Sequence, residues 1–428
     1  MESHRRCRYT RGVPHLPHRS LLAALLCAAA CTEAPPPQLE APQACPPQQA
    51  QVAAPAAPST APVEEATQEE PPLLVRCVED DGPLVQRDLE ELENRALEAE
   101  AKGDAARMLA CADEALRIVE DDAVAAHLRA EALLHLHRLD DAADAFTLAL
   151  ALAPNDPWVL AGAAELYANH LPLRRDRTLA ALAWAERGLV HLPPAETDLQ
   201  VQLHRLAAWA QADLGNHRAA LVHAGVALHL RAGDRDAQVI RGRALYELTR
   251  FEEAAQVLEK TLASNPEDAE AHHLLGLSLE RIEGRLAEAE EHLARATALD
   301  PAGFPPPVAV DGEGLAALVH AEVAALPERE RGLLGKGRVP VRVAPLPDIA
   351  DLRAEDPPLS PTAVGMFRGP PLGIAAEEPR EILLFDRNLR RAARNLHELR
   401  EQVRITLLHE VGHLAGEDEA DLRARGLE

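Results

Sequence analysis

Residues 123–156 read AVAAHLRAEALLHLHRLDDAADAFTLALALAPND and residues 235–268 read RDAQVIRGRALYELTRFEEAAQVLEKTLASNPED, two segments of 34 residues that align without a gap. Residues 201–234 (VQLHRLAAWAQADLGNHRAALVHAGVALHLRAGD) share the length, and 269–303 repeat the pattern with one insertion. A small residue recurs in the first half of the unit (Ala130, Gly242, Gly276) and an alanine in the second (Ala142, Ala220, Ala254, Ala289). A further alanine follows (Ala149, Ala227, Ala296), and a proline closes three of the copies (Pro154, Pro266, Pro301). Small residues at facing positions let the two helices of a pair approach closely, while Leu, Phe and Tyr fill the gaps between them. Proline, lacking an N–H, stops the second helix. A supersecondary unit that cannot bury its apolar face alone must stack on its neighbours, so the period predicts a linear array. Two degenerate copies extend it, one at 89–122 with Gly103-Asp104 at its turn and one at 157–195 lengthened around Leu171 to Arg175.

These units resemble tetratricopeptide repeats. The resemblance implies an α-solenoid of about six repeats over residues 88–303, a superhelix whose concave face is lined by the first helices. Such arrays bind peptides or partner proteins, so a protein partner on the array is expected.

The rest of the composition agrees with a mainly helical protein. At roughly 150 residues per domain, 428 residues predict about three units. Only 3% of residues are aromatic while 47% are hydrophobic, so the core must be built from Ala, Leu and Val. The formal net charge is −25. Nucleic acid and anionic membrane surfaces need clustered cations, so an acidic excess of this size excludes nucleic acid as the main partner. Residues 88–303 hold 38 acidic and 21 basic side chains, a net −17, whereas residues 304–428 hold 21 and 16, a net −5. The acidity therefore sits on the array, either as a recognition surface for neutral or basic partners or as a solvated outer face. No run reaches the roughly 20 apolar residues of a spanning helix.

The N-terminus carries Arg5, Arg6, Arg8, Arg11 and Arg19, then ten apolar residues from Leu21 to Ala30. This is the charged region and short apolar region of an export signal. Ala28-Ala-Ala30 before Cys31 resembles a bacterial lipoprotein box, with Ala28 where that motif prefers Leu. The resemblance implies removal of residues 1–30, lipidation of Cys31 and a membrane anchor, with a soluble secreted or periplasmic form as the alternative. Thr32, in place of an Asp that would signal inner-membrane retention, points to the outer membrane on the periplasmic side of the cell envelope. Residues 31–87 follow as a tether. From Thr32 to Pro72 there are 11 prolines in 41 residues and few large apolar side chains, so the segment cannot offset its ordering entropy by burial. Of the six cysteines, Cys77 and Cys111 are either a disulfide or two unpaired thiols.

After Pro301 the period ends, and Ala302-Gly-Phe-Pro-Pro-Pro307 marks a boundary. Residues 304–428 mix β-like runs, Val339 to Ala344 and Ile382 to Phe385, with helical patterns over 315–325 and 388–415. Leu396, Leu399, Val403 and Leu407 form an apolar stripe that ends at Gly416, where a helix C-cap would fall. Within it lies His409-Glu410-Val411-Gly412-His413. Two His at i and i+4 lie one turn apart on one face, so both imidazoles can reach one tetrahedral metal while the Glu between them holds a water. Glu417, Asp418, Glu419 and Asp421 all follow the turn as candidate third ligands, and Glu419 occupies the place of the third ligand in the spacing HExxHxxGxxE.

Residues 312–428 resemble small bacterial metallopeptidases with a minimal, matrix-metalloproteinase-like zincin domain. The resemblance rests on Leu326-Pro327, the Val-Arg-Val strand before Pro345, Val364-Gly-Met-Phe-Arg-Gly369, Ile382-Leu-Leu-Phe-Asp-Arg387 and Thr406 to Gly416. It implies a small α+β zincin-like fold, Zn2+ held by His409, His413 and an acidic residue, and Glu410 as general base in peptide-bond hydrolysis. A peptide substrate is expected along the sheet edge, for which Ile382 to Phe385 is the candidate strand. Arg368 is read as an ion-pair partner within the fold, and His397 as a solvated side chain. The sequence thus predicts an exported, lipid-anchored zinc metallopeptidase whose repeats recruit a protein. The alternative is a periplasmic scaffold in which the zincin domain is vestigial or binds metal only structurally.

Overall fold

The computed structural model describes residues 76–77, 88–193, 195–374 and 379–427. Cys31, the export signal and the Pro-rich tether lie outside the described residues.

Six helix pairs stack in chain order. They are α1 (Leu89–Lys102) with α2 (Ala105–Ile118), α3 (Ala123–His135) with α4 (Leu139–Leu152), and α5 (Pro157–Glu165) with α6 (Arg175–His191). Then come α7 (Thr197–Asp213) with α8 (His217–Leu230), α9 (Arg235–Glu247) with α10 (Phe251–Ser264), and α11 (Ala269–Leu279) with α12 (Leu286–Leu299). The third pair carries the predicted lengthening as a π-helical turn, Leu166–His170, between its helices. Five of the six first helices begin on a common device, α7 being the exception. Asp88, Asp122, Asp156, Asp234 and Asp268 each cap one of them by accepting a backbone N–H in its first turn. First helices of successive pairs also touch one another, α5 on α7, α7 on α9 and α9 on α11, and so line one face together.

The recurring small residues sit where the helices come closest. A Cβ on Gly242 would lie 2.7 Å from Leu258 Cδ2, and one on Gly276 would lie 2.6 Å from Leu293 Cγ. Neither fits, so the partner leucine of the second helix fills the space that glycine leaves. At the start of the array Cys77 and Cys111 form a disulfide, which resolves the alternative left open by the sequence.

Beyond the array come α13 (Gly312–Ala325), α14 (Glu328–Leu333), β1 (Val341–Ala344), α15 (Ile349–Leu352), β2 (Gly365–Arg368), β3 (Glu381–Phe385), α16 (Asp386–Ala392), α17 (Leu396–Ala415) and α18 (Glu419–Ala424). The expected helix over 388–415 is two helices. Ala393 turns extended, and Asn395 restarts the chain by capping α17, its side chain accepting the Glu398 N–H while Glu398 accepts from the Asn395 amide. The sheet order is β1-β3-β2, with β1 parallel and β2 antiparallel to β3. This corrects one expectation: Ile382 to Phe385 is the central strand, hydrogen-bonded on both sides, and no peptide can add to it. Its four consecutive apolar side chains, all buried, mark a strand covered on both faces, while its central position is set by the pairings with β1 and β2. The edge strand packed against α17 is β2.

The two parts of the chain share a core and a buried ion cluster. Leu352, with Ile349 and Leu359 beside it, packs among Leu245, Tyr246, Phe251 and Leu277 of the last two pairs. Glu280, just after α11, has a fully buried side chain. Its two oxygens accept from Arg391 Nη1 and Nη2 at 2.7 and 2.6 Å, and Arg387 adds a third contact at 3.4 Å. Arg353 donates to the Thr249 hydroxyl and carbonyl at 2.9 and 2.7 Å. His273 of α11 stacks on Phe304, ring centroids 4.7 Å apart, and burial with the nearby Arg391 charge lowers its pKa to about 3.

Removing one partner of a buried ion pair leaves the other charge desolvated. Glu280→Ala is therefore expected to destabilise the chain by about 3–5 kcal/mol in urea unfolding and to speed proteolytic cleavage near residues 302–307. His273 gives a second test. Its pKa falls from an ordinary 6.5 to about 3 on folding, so the unfolded chain binds the extra proton between these values. The stability this histidine contributes is complete above pH 6.5 and is lost as the pH falls toward 3, at about 1.4 kcal/mol per pH unit. His273→Phe should give a visibly shallower decline of the unfolding midpoint between pH 6.5 and 4.5 than the parent.

Candidate metal centre

Helix α17 builds the site. Its apolar stripe, Leu399, Val403, Leu407, Val411 and Leu414, is fully or almost fully buried in the C-terminal core beside Leu315, Ile382 and Leu384. That anchoring turns His409 and His413 toward α18 and sets Glu410, at the edge of the stripe, against β2. Gly416 ends the helix in the left-handed region, at φ 92°, and its N–H closes the last turn onto the carbonyls of Gly412 and His413. The chain then folds back through α18 onto the helix it has just left.

His409 and His413 face each other with their Nε2 atoms 3.0 Å apart. Glu419 Oε1 lies 3.3 Å from His413 Nε2 and 3.8 Å from His409 Nε2. Among the described residues this is the one group of three His, Cys, Asp or Glu side chains whose ligating atoms all fall within 4.8 Å of one another. The other three candidate acids are engaged elsewhere. Glu417 pairs with Arg425 through its side chain. Asp418 caps α18 by accepting from Ala420 N and Asp421 N, and Asp421 reciprocates toward the Asp418 N–H.

The imidazoles themselves show that a cation fits. His409 Nδ1 lies 2.7 Å from the Leu427 carbonyl oxygen and His413 Nδ1 lies 3.1 Å from that of Glu417. A carbonyl only accepts, so both Nδ1 atoms carry a proton, and in the neutral imidazole each Nε2 then presents a lone pair. Two lone pairs 3.0 Å apart beside a carboxylate repel unless positive charge lies among them. The three separations of 3.0, 3.3 and 3.8 Å bracket the roughly 3.3 Å between donors sharing a tetrahedral zinc at about 2.0–2.1 Å.

Glu410 lies on the other side of the same turn and is only 6% exposed. Burial raises its carboxyl to about 8, the Glu419 charge adds to the rise, and a hydrogen bond from the Phe367 backbone N–H opposes it. Gly365 lies below it. A Cβ there would collide with the Thr406 methyl and come 3.1 Å from Glu410 Oε1, so glycine is what lets β2 lie against the helix. Arg368 pairs with Asp351 and, at 2.6 Å, with Glu381, in agreement with its structural reading. His397 is exposed, 80% by side chain, and lies three turns before His409. Sequence reasoning did not reach the Phe367 N–H or the carbonyls of Glu417 and Leu427. These are backbone groups, which every residue type carries, and only Gly365 left a trace in the residue pattern.

Residues 337–427 match the zincin-like metallopeptidase family and residues 241–304 the tetratricopeptide repeat family. No curated protein matches the chain. Among solved structures, PilW, described as a type IV pilus biogenesis factor, is 18% identical with a TM-score of 0.43 over 54% of this chain and 98% of that one. PilF of Pseudomonas aeruginosa is 14% identical with a TM-score of 0.42 over 50% and 92%. YrrB, described as a TPR protein with an unusual peptide-binding site, is 21% identical with a TM-score of 0.36 over 45% and 93%.

Side-chain placement separates the candidate third ligands experimentally. Glu419→Ala is expected to lower zinc affinity at least tenfold by competition with a chromogenic chelator, whereas Asp421→Ala should stay within about threefold of the parent.

Proposed function

We propose that this chain, a tetratricopeptide array joined to a zincin-like domain, is a zinc-dependent peptidase that hydrolyses peptide bonds in a protein recruited by its repeats. The observation that carries the reading is the convergence of His409, His413 and Glu419 with Glu410 buried on the adjacent side of the same helical turn. When bound, zinc supplies Lewis acidity toward a water and toward the scissile carbonyl. His409, His413 and Glu419 would hold it. Glu410 accepts the water proton and passes it to the leaving amine. The Phe367 N–H fixes Glu410 against β2 and so holds the carboxylate at one orientation. An extended substrate would add to the outer edge of β2, whose inner edge is already paired to β3.

Recruitment falls to the array. Glu100, Glu131 and Glu165 stand on the first helices of successive pairs, and Glu131 is raised to about 8 by burial, with Glu100 and Glu165 adding to the rise. Such acid density favours a neutral or basic segment of the partner. We further propose that the export signal delivers the chain to the periplasmic side of the envelope, with Cys31 lipidated at the outer membrane. The Pro-rich tether would hold the folded part away from the surface.

Glu410→Gln should reduce peptide cleavage by 10²–10⁴-fold while one equivalent of zinc stays bound, since the amide keeps the shape of the side chain but cannot accept the proton. Chelation should abolish cleavage and zinc should restore it. A Glu410→Gln chain that cleaves as fast as the parent, or a parent indifferent to chelator, would rule the reading out and leave a scaffold.

A further inference from the structure

Helix α18 and the residues after it form a strap that returns over the last two turns of α17. Three contacts hold it there. Leu422 is fully buried and packs where a Cβ on Gly412 would be, so glycine at 412 is the seat of the strap. Arg425 pairs with Glu417 at the start of the turn and, at 3.5 Å, with Glu330 of α14. The Leu427 N–H closes onto the Leu422 carbonyl at 3.1 Å, and the Leu427 side chain is 8% exposed. These contacts deliver one backbone group to the site, the Leu427 carbonyl, 2.7 Å from His409 Nδ1.

We propose that the Leu427 carbonyl, presented by the 418–427 strap, is a positioning group for the metal centre: it holds His409 as the Nδ1–H tautomer with its Nε2 lone pair aimed at the cation. His413 is fixed by a carbonyl within its own turn, that of Glu417, four residues away, and needs nothing more distant. His409 has no such local partner. The carbonyls one turn before it are taken up by the helix ladder, so the acceptor must come from a segment that folds back over it. Without that acceptor the ring is free to rotate about its Cβ–Cγ bond and to populate both tautomers, and only one of these ligates through Nε2. Orientation and basicity of a ligating imidazole depend on the partner of its other nitrogen, which is worth about 10–100-fold in metal affinity. The same strap brings Glu419, so one segment supplies a ligand and locks another.

The inference rests on the zinc reading above, and the test separates the two. Full-length parent, a chain ending after Gly426, and Leu427→Ala are titrated with zinc against a chromogenic chelator, and the metal-free unfolding midpoint of each is measured. Leu427→Ala keeps the carbonyl and removes the side chain. The expected result is a 10–100-fold weaker zinc Kd for the shortened chain and a change within threefold for Leu427→Ala. A shortened chain that binds zinc like the parent overturns the inference, as does Leu427→Ala weakening zinc as much as the deletion, which would make the strap's packing the cause. A parent that takes up no zinc overturns the hydrolase reading as well. Should the shortened chain fail to fold, long-range 1H–15N spectra of the zinc-loaded parent decide the matter. His409 must show a protonated, slowly exchanging Nδ1, and a spectrum with Nε2 protonated overturns the inference.

Discussion

The array depends on how closely two helices can approach, and glycine or alanine at the crossing points sets that distance. Leu258 and Leu293 occupy volume that a Cβ on Gly242 or Gly276 would claim. With so few aromatic residues, the chain cannot fill wide interhelical gaps, and a core of Ala and Leu reaches interior density only when the backbones themselves are near one another. The repeat period, the alanines of the second helices and the aspartate caps of the first helices all serve this one geometry. Each pair then presents the same apolar side to the next, and stacking follows because no pair buries that side alone.

A stacked array has an open end, and here the C-terminal part of the chain covers it. Leu352 enters the core of the last pairs, and Glu280 is withdrawn from water between Arg387 and Arg391. The two arginines belong to α16, which leaves the central strand β3 directly. The sheet that flanks the metal site is thus tied to the array through one short helix and one buried carboxylate. Burying a charge is unfavourable unless its partners are well placed, and the bidentate geometry of Arg391 supplies that placement. The candidate site is consequently held at a fixed position relative to the repeats.

At the site, the side chains and the backbone do different work. His409, Glu410, His413 and Glu419 supply the side chains of the candidate site, yet their orientation comes from the Leu427 and Glu417 carbonyls and from the Phe367 N–H. The buried stripe of α17 explains why such control is available. A helix pinned on one side by Leu399, Val403, Leu407 and Leu414 leaves only the ring torsions free, and a single hydrogen bond to each ring removes that freedom.

Much of this was legible in the residues. The helix pairs, their turns, the C-cap at Gly416 and the i, i+4 histidines follow from periodicity and local chemistry, which act over a few residues and so appear in sequence directly. The ligand candidates after Gly416 could be narrowed to four acids and no further, because a capping box, an ion pair and a metal ligand draw on the same side chains. Only the fold-back of α18 assigned Asp418 and Asp421 to a cap, Glu417 to Arg425 and Glu419 to the histidines. The same limit explains the strand order. The run Ile382 to Phe385 announced a buried strand, but which strands lie beside it depends on contacts between segments far apart in the chain. Local propensity therefore determined the elements and the histidine pair, whereas the edge strand, the buried Glu280 cluster and the carbonyls behind the two imidazoles were decided by tertiary packing, since pairing partners and backbone groups leave no residue-specific mark.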